Sequence, residues 1–320
     1  PAQLARLARC ERDGLARWDM MQRLAAGVLL RSFETQADAS AALSVAIGAL
    51  LEDDAADPAF VAECMQLPDF DTLADAQART DIDGLLEARV DLRRELADTH
   101  AQRLRHRYDA LAQIASHGLD GAAMGARRLR NMCLAWLSEI DPRGALATAQ
   151  FESATRMTDR LGALRCLVHT HAPSAARAEL AFAQHHRDDP LSTDKWLAVA
   201  ATRPHADAVE RTRALLESPW WTPTNPNRVR AILGSFSRMN PTAFHRNDGA
   251  GYALLVGQLP LLDGINPQVA ARLLAGFESW RRWSGGRDEL ARHHLETLRG
   301  RLASRDANDL LNRLLQVASN

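Results

Sequence analysis

Apolar residues recur every three or four positions through most of the chain, which is the spacing of one face of an α-helix. Near the start this spacing links Trp18, Met21, Leu24 and Val28, and it continues through a long charged segment from Asp83 to Ser116. Ala, Leu, Arg and Glu, which are strong helix formers, dominate, while runs of β-branched residues are scarce. The pattern predicts an all-α protein in which each helix buries one apolar stripe.

Proline-containing turns divide the periodic segments into helices of roughly 10 to 20 residues, and the segment 83–116 predicts one longer helix. Short helices with brief turns and no strand-like runs between them favour a superhelical array of antiparallel helix pairs, as in HEAT and armadillo proteins. No repeat consensus occurs at a fixed period. The simplest division is one continuous domain over residues 1–320, with the acidic stretch from Asp69 to Asp83 as the one candidate for a flexible connector.

Charge and cysteine content narrow the function classes. The 39 Lys and Arg residues balance 40 Asp and Glu residues, giving a formal net charge of -1, so we expect no nucleic-acid partner. No apolar stretch approaches the ~20 residues that span a bilayer, so we expect no membrane association. The four cysteines lie far apart and form no C-x-x-C pair, which predicts buried free thiols and a cytoplasmic location.

Motifs of catalytic and metal-binding sites are absent from the sequence. None of the 11 histidines is followed by Glu, so the His-Glu-x-x-His pattern of zinc peptidases does not occur. Histidines one or two positions apart point in different directions on a helix, and no Gly-x-Ser-x-Gly elbow is present. We therefore predict no catalytic residue and no metal ligand in this chain.

Three Asn-Pro pairs give the most definite local predictions. Asn caps helix N-termini through its side-chain oxygen, and Pro suits the first helical position because its missing N–H has no partner there. Asn225, Asn240 and Asn266 should therefore each precede a helix. From these starts, Arg230 falls at the fifth helical position and Arg272 at the sixth, so a rigid element fixes the register of both arginines.

A glycine-containing segment, Phe244 to Tyr252, is predicted to end one helix and to start the next. Asp248 is the candidate N-cap, and Gly249 or Gly251 supplies backbone freedom. No strand precedes this segment and no P-loop lysine follows it, so we do not interpret it as a phosphate-binding loop.

In this order, the motifs NPNRVR, NPTAFH, DGAGY and NPQVAAR resemble the C-terminal helical domain of bacterial aminopeptidase N, a zinc metallopeptidase that removes N-terminal residues from peptides. The resemblance is clearest from Asp194 onward, appears again in ARWDMMQRL near the start, and is weak through the middle. It implies that these helices form the lid and wall of an active-site chamber. It also implies that Arg230 and Arg272 face that chamber and hold bound peptide through its carbonyl groups or C-terminal carboxylate.

The same resemblance places the zinc and the catalytic carboxylate in another domain, whose Gly-x-Met-Glu-Asn motif is also missing here. We expect this chain to be inactive alone, to bind no cofactor, and to act as a monomer with a catalytic domain of the same polypeptide and a peptide substrate as its partners. The competing interpretation is a stand-alone helical-repeat scaffold that binds a protein or peptide. A nucleic-acid-binding helical repeat is the third alternative, and the balanced charge disfavours it.

Overall fold

The computed structural model describes residues 1–11, 13–116 and 118–316. Helices make up 73% of the structure. Within the described residues the one strand-like feature is an isolated bridge between Thr80 and Trp283. The prediction of an all-α fold is therefore confirmed.

The chain forms two compact units, one made of residues 1–73 and 84–179 and the other of residues 74–83 and 180 onward. Up to residue 185 the helices are α1 (Ala2–Cys10), α2 (Gly14–Leu29), α3 (Gln36–Glu52), α4 (Pro58–Cys64), α5 (Phe70–Asp75), α6 (Ile82–Thr99), α7 (Ala101–Ala110), α8 (Ala112–Ser116), α9 (Gly121–Ser138), α10 (Ala145–Ser153), α11 (Met157–His169) and α12 (Ala175–His185). The single domain over 1–320 remains a prediction.

The helices that follow residue 185 are α13 (Pro190–Ala201), α14 (Ala208–Leu216), α15 (Pro226–Val229), α16 (Ser235–Met239), α17 (Pro241–Phe244), α18 (Ala250–Ile265), α19 (Pro267–Leu274), α20 (Arg287–Glu296) and α21 (Arg305–Leu315). A π-helical turn, Arg230–Gly234, joins α15 to α16, and two 3-10 turns, Ala275–Phe277 and Trp280–Arg282, follow α19. Among the described helices, none combines the length and the apolarity that crossing a membrane requires.

Side-chain caps explain where several helices of the first unit begin. Asp13, Asp57 and Asp120 each precede a helix and accept a hydrogen bond of 2.8 Å from a backbone N–H of its first turn. These bonds satisfy amides that have no partner inside the helix. The sequence therefore encodes these boundaries locally, without help from distant residues.

The long helix predicted over 83–116 is wrong, because the chain there forms three helices that break at His100 and Leu111. His100 is buried, and its Nε2 lies 3.0 Å from the Ser44 hydroxyl oxygen of α3. Its backbone torsion angles, φ -107° and ψ 15°, lie outside the helical region. The helix therefore breaks where His100 contacts α3. The apolar periodicity of residues 83–116 alone does not reveal this break.

The prediction that Asp69 to Asp83 is a flexible connector is wrong. It contains α5, and Thr80 is fully buried within the second unit. The Thr80 amide donates to the Arg282 carbonyl at 2.8 Å, and the Thr80 carbonyl accepts from the Ser284 amide at 3.0 Å. These two backbone bonds tie residues 74–83 to a segment about 200 positions later in the chain.

Aromatic rings form the centre of the second unit's core. The Phe244 ring contacts Phe236, Tyr252 and Phe277 edge to face, with centroids 5.2 to 6.1 Å apart. Such pairs are favourable beyond the area that they bury. Phe236 lies on α16, which follows the Arg230 segment, and Phe277 lies in the 3-10 turn that follows the Arg272 helix α19, so both segments lead into this core.

Candidate functional site

All three predicted Asn-Pro helix starts are confirmed. The side-chain oxygen of Asn225 accepts from the Asn227 amide at 3.0 Å, and Asn240 and Asn266 each accept from the amide three residues later at 3.3 and 3.2 Å. The proline occupies the first helical position in each case. Arg230 and Arg272 therefore lie at the fifth and sixth positions after a fixed start, as the sequence predicts.

Arg228 anchors the first turn of α15. Its side chain is buried, its Nε donates to Asp194 Oδ1 of α13 at 2.6 Å, and one terminal nitrogen donates to the Trp220 carbonyl at 2.7 Å. A buried guanidinium needs such partners because an unpaired charge in the interior is costly. Arg228 is thus a structural residue, and of the two arginines in NPNRVR only Arg230 is available to a ligand.

Arg230 begins the π-helical turn. The Ser235 amide bonds to the Arg230 carbonyl, five residues back, and the turn runs without a gap into α15 and α16. The Arg230 side chain is exposed and makes no hydrogen bond or ion pair with any residue that the structure describes. π-turns are rare and occur frequently at functional sites. The sequence analysis did not predict this turn.

Burial around this helix leaves one narrow strip open. Between Arg228 and Ser237 every residue is buried except Arg230, which is exposed, and Gly234, which is half-buried. Arg238, the next exposed residue, lies four positions after Gly234. Residues four apart share a helix face, so these three positions form a continuous strip, and a ligand could approach the helix along it.

Arg272 lies on α19, whose opposite side buries Ala270, Leu273 and Leu274. It too is exposed and has no hydrogen-bond or ion-pair partner among the described residues. Two unpaired guanidinium groups on well-packed helices offer bidentate donors to a carboxylate or to peptide carbonyls.

The two arginine-bearing segments come together at Ser237 and Gly276. A Cβ placed on Gly276 would lie 3.8 Å from Ser237 Cβ and 3.9 Å from Ser237 Oγ. Arg272 precedes Gly276 by about one helical turn and Arg230 precedes Ser237 by about two. The segments that directly follow the two predicted site residues, α16 and the 3-10 turn after α19, are therefore in contact within the second unit.

The segment Phe244 to Tyr252 ends α17 and starts α18, as predicted, and forms a packed corner. Gly249 occupies the N-cap with a left-handed φ of 73°, so the prediction of Asp248 at that position is wrong. Asp248 instead accepts from the Ala250 amide at 3.0 Å, and its ion pair with Arg246 lowers its pKa to about 2. Gly251 is required sterically, because a Cβ there would lie 2.3 Å from the Phe244 carbonyl oxygen.

A buried polar network behind this corner was not predicted. His245 Nδ1 and the Tyr252 hydroxyl are hydrogen-bonded at 2.8 Å, and the His245 carbonyl accepts from Arg287 Nε at 2.8 Å. Arg287 also donates to both carboxylate oxygens of Asp83, at 2.8 and 2.6 Å. Burial lowers the pKa of His245 to about 3, so its ring is neutral near pH 7. Asp83 and Arg287 are 204 positions apart, and no local pattern links them.

Three of the four cysteines are buried free thiols. Burial raises the pKa of Cys64 and Cys166 to about 11 and that of Cys133 to about 12, so these thiols are protonated and inert. Cys10 is exposed, which corrects the prediction that all four are buried. Across residues 1–11, 13–116 and 118–316, no three His, Cys, Asp or Glu side chains are grouped as a metal site would require.

Comparison with known proteins decides the family. A family described as "Domain of unknown function (DUF3458_C) ARM repeats" matches residues 1–316. The chain belongs to this family. ARM repeats are arrays of packed helices, so the predicted armadillo-like class is confirmed together with the all-α fold.

Characterised relatives of this DUF3458_C chain include aminopeptidase N from Caulobacter vibrioides, which is 36% identical over 89% of this chain and 34% of its own length. Aminopeptidase N from Escherichia coli strain K12 is 35% identical over 93% of this chain and 35% of its own length. The chain thus spans about a third of these relatives, and the matched part is C-terminal. The resemblance to the C-terminal domain of aminopeptidase N is confirmed.

A solved structure shares the fold. The crystal structure of Legionella pneumophila aminopeptidase A in complex with aspartic acid superposes with a TM-score of 0.86 at 26% identity. The alignment covers 98% of this chain and 38% of that protein. In that relative as well, an array like this one is part of a larger aminopeptidase.

Proposed function

We propose that this chain is the C-terminal domain of a zinc aminopeptidase, where it closes the active-site chamber, limits access to peptides, and binds substrate through Arg230 and Arg272. The observation that carries the proposal is the pair of exposed guanidinium groups without hydrogen-bond or ion-pair partners among the described residues, on two segments of the second unit whose continuations touch at Ser237 and Gly276. The relatives named above supply the reaction class, which is removal of N-terminal amino acids from peptides by the parent enzyme.

The described residues fit no metal site, so no step of the cleavage passes through a zinc bound by this chain. The zinc belongs to the catalytic domain of the same polypeptide, which acts as a monomer in the cytoplasm. This chain contributes binding and enclosure. Each guanidinium stays charged at any relevant pH and donates two parallel hydrogen bonds to a carboxylate, which fixes the peptide's orientation as well as its position. Enclosure excludes water and strengthens these bonds.

The test compares two substrates of the intact aminopeptidase. A peptide extends beyond the cleaved bond and reaches the arginines, whereas an aminoacyl p-nitroanilide has no residue beyond that bond. We expect Arg230→Ala and Arg272→Ala each to raise the KM for tetrapeptides about tenfold, the worth of one charge-assisted hydrogen bond. Hydrolysis of alanyl p-nitroanilide should stay unchanged.

Arg299→Ala is the matched control, because Arg299 is also exposed and its side chain has no hydrogen-bond or ion-pair partner among the described residues, but it follows α20 and lies on neither arginine-bearing segment. Its kinetics should equal wild type with both substrates. If the arginine variants cleave tetrapeptides with unchanged KM, the assigned contacts are wrong. If this chain alone hydrolyses alanyl or leucyl p-nitroanilide with zinc added, the division of labour between domains is wrong.

A further inference from the structure

Gly234 is an unusual residue for its place in the fold. It lies inside the continuous helix from Pro226 to Met239, with an ordinary helical backbone of φ -65° and ψ -43°. Any residue can adopt these angles, and glycine is the poorest helix former after proline. Backbone conformation therefore does not explain a glycine at this position.

Packing against the rest of the protein does not explain it either. A Cβ added at Gly234 would meet only the stem of Arg230 among the described residues, with Arg230 Cγ at 3.3 Å and Arg230 Cβ at 3.8 Å. Apart from the two chain neighbours and the helix's own backbone, no other described atom lies within 4 Å of that point. The space that a side chain would fill is thus used by Arg230 alone.

The π-helical turn is the cause of this close approach. In an α-helix, Cβ atoms four residues apart are about 5–6 Å from each other. Here the corresponding distance from Arg230 to a Cβ on residue 234 is 3.8 Å. The Arg230 stem also passes over the turn that follows it, whereas helical side chains generally lean toward the N-terminus. The wider turn and the missing side chain at 234 together leave room for the Arg230 stem.

We infer that Gly234 is a positioning residue for peptide binding, because the π-turn and the bare Cα at 234 hold the Arg230 guanidinium in the direction that meets the substrate. This inference rests on the proposed function of Arg230. A methyl group at 234, 3.3 Å from Arg230 Cγ, forces the arginine stem to move by a few tenths of an ångström, which redirects the guanidinium at its far end. This change weakens the hydrogen bonds to the peptide and leaves the reacting groups untouched.

The experiment is a double-mutant cycle in the intact aminopeptidase, with tetrapeptide kinetics and thermal unfolding as readouts. We expect Gly234→Ala to raise the tetrapeptide KM about fivefold, the worth of one ordinary hydrogen bond, with kcat and alanyl p-nitroanilide hydrolysis unchanged. In an Arg230→Ala background the same substitution should add nothing to KM, because its whole effect passes through Arg230.

Gly257→Ala is the matched control. Gly257 lies inside α18, and a Cβ there would meet nothing within 4 Å, so this variant should have wild-type kinetics and equal or higher thermal stability. If Gly234→Ala lowers Tm, adding Arg230→Ala to that variant should restore the Tm. A fall in Tm that persists in the double variant overturns the inference.

The outcomes separate this inference from the function on which it rests. If Arg230→Ala raises the peptide KM while Gly234→Ala does not, the peptide contact stands and the positioning role is wrong. An equal rise in KM from Gly234→Ala with and without Arg230 also overturns the positioning role. If Arg230→Ala has no effect on peptides, both the contact and the positioning role are wrong.

Discussion

The ion pair between Asp194 and Arg228 gives the sharpest test of how the candidate site is built. Asp194→Asn keeps the shape of the side chain and an oxygen that can accept from Arg228 Nε, but it removes the charge that compensates the buried Arg228 guanidinium. The side chains of Arg228 and Asp194 are only 11% and 16% exposed. Breaking one side of a buried pair costs about 3–5 kcal/mol, and we take the lower end because both groups keep some contact with water.

The expected loss in unfolding free energy is therefore about 3 kcal/mol, which corresponds to a fall in Tm of roughly 6–12 °C for a unit of this size. Urea unfolding at pH 7, followed by the helical circular dichroism signal, measures it. The matched control is Asp309→Asn, which breaks a pair with Arg305 that is 91% and 68% exposed and should cost less than about 0.5 kcal/mol. If Asp194→Asn is as stable as that control, Arg228 does not anchor α15.

Two further predictions concern the corner between α17 and α18. Gly251→Ala should destabilise the protein by more than about 3 kcal/mol in urea unfolding, because its Cβ would lie 2.3 Å from a carbonyl oxygen, and a near-neutral result would contradict the close approach described here. The lowered pKa of His245 predicts a loss of stability as pH falls from about 6.5 toward 3, since the unfolded chain binds a proton there that the folded chain does not. Between pH 7 and 5 this contribution is about 2 kcal/mol, and a stability difference between those pH values that is the same in His245→Gln as in wild type would refute it.

Local chemistry made the helix starts predictable. An Asn-Pro pair carries both the capping oxygen and the proline that suits the first turn, so Asn225, Asn240 and Asn266 needed no distant partner to define their helices. The positions of Arg230 and Arg272 followed by counting from these starts. Their assignment as peptide contacts came from the family resemblance, because an exposed arginine has no distinguishing pattern of its own.

Features that depend on distant residues could not be predicted. The break at His100 involves Ser44 on another helix, and the network around His245 involves Asp83, far away in sequence. The π-turn at Arg230 lies in a helix that is buried on nearly every side, which a single apolar stripe does not predict. One signal in the sequence does mark the site of this turn. Gly234 interrupts a helical pattern four residues after Arg230, and a glycine there calls for a reason.

The central claim is that Arg230 and Arg272 bind peptide beyond the cleaved bond while another domain performs the cleavage. Steady-state kinetics of the Arg230→Ala/Arg272→Ala double variant of the intact enzyme, with a tetrapeptide and alanyl p-nitroanilide side by side, tests it most directly. We predict a large rise in KM for the tetrapeptide alone, with the p-nitroanilide cleaved at the wild-type rate. Equal kinetics of variant and wild type on the tetrapeptide, or an equal loss on both substrates, would contradict the claim.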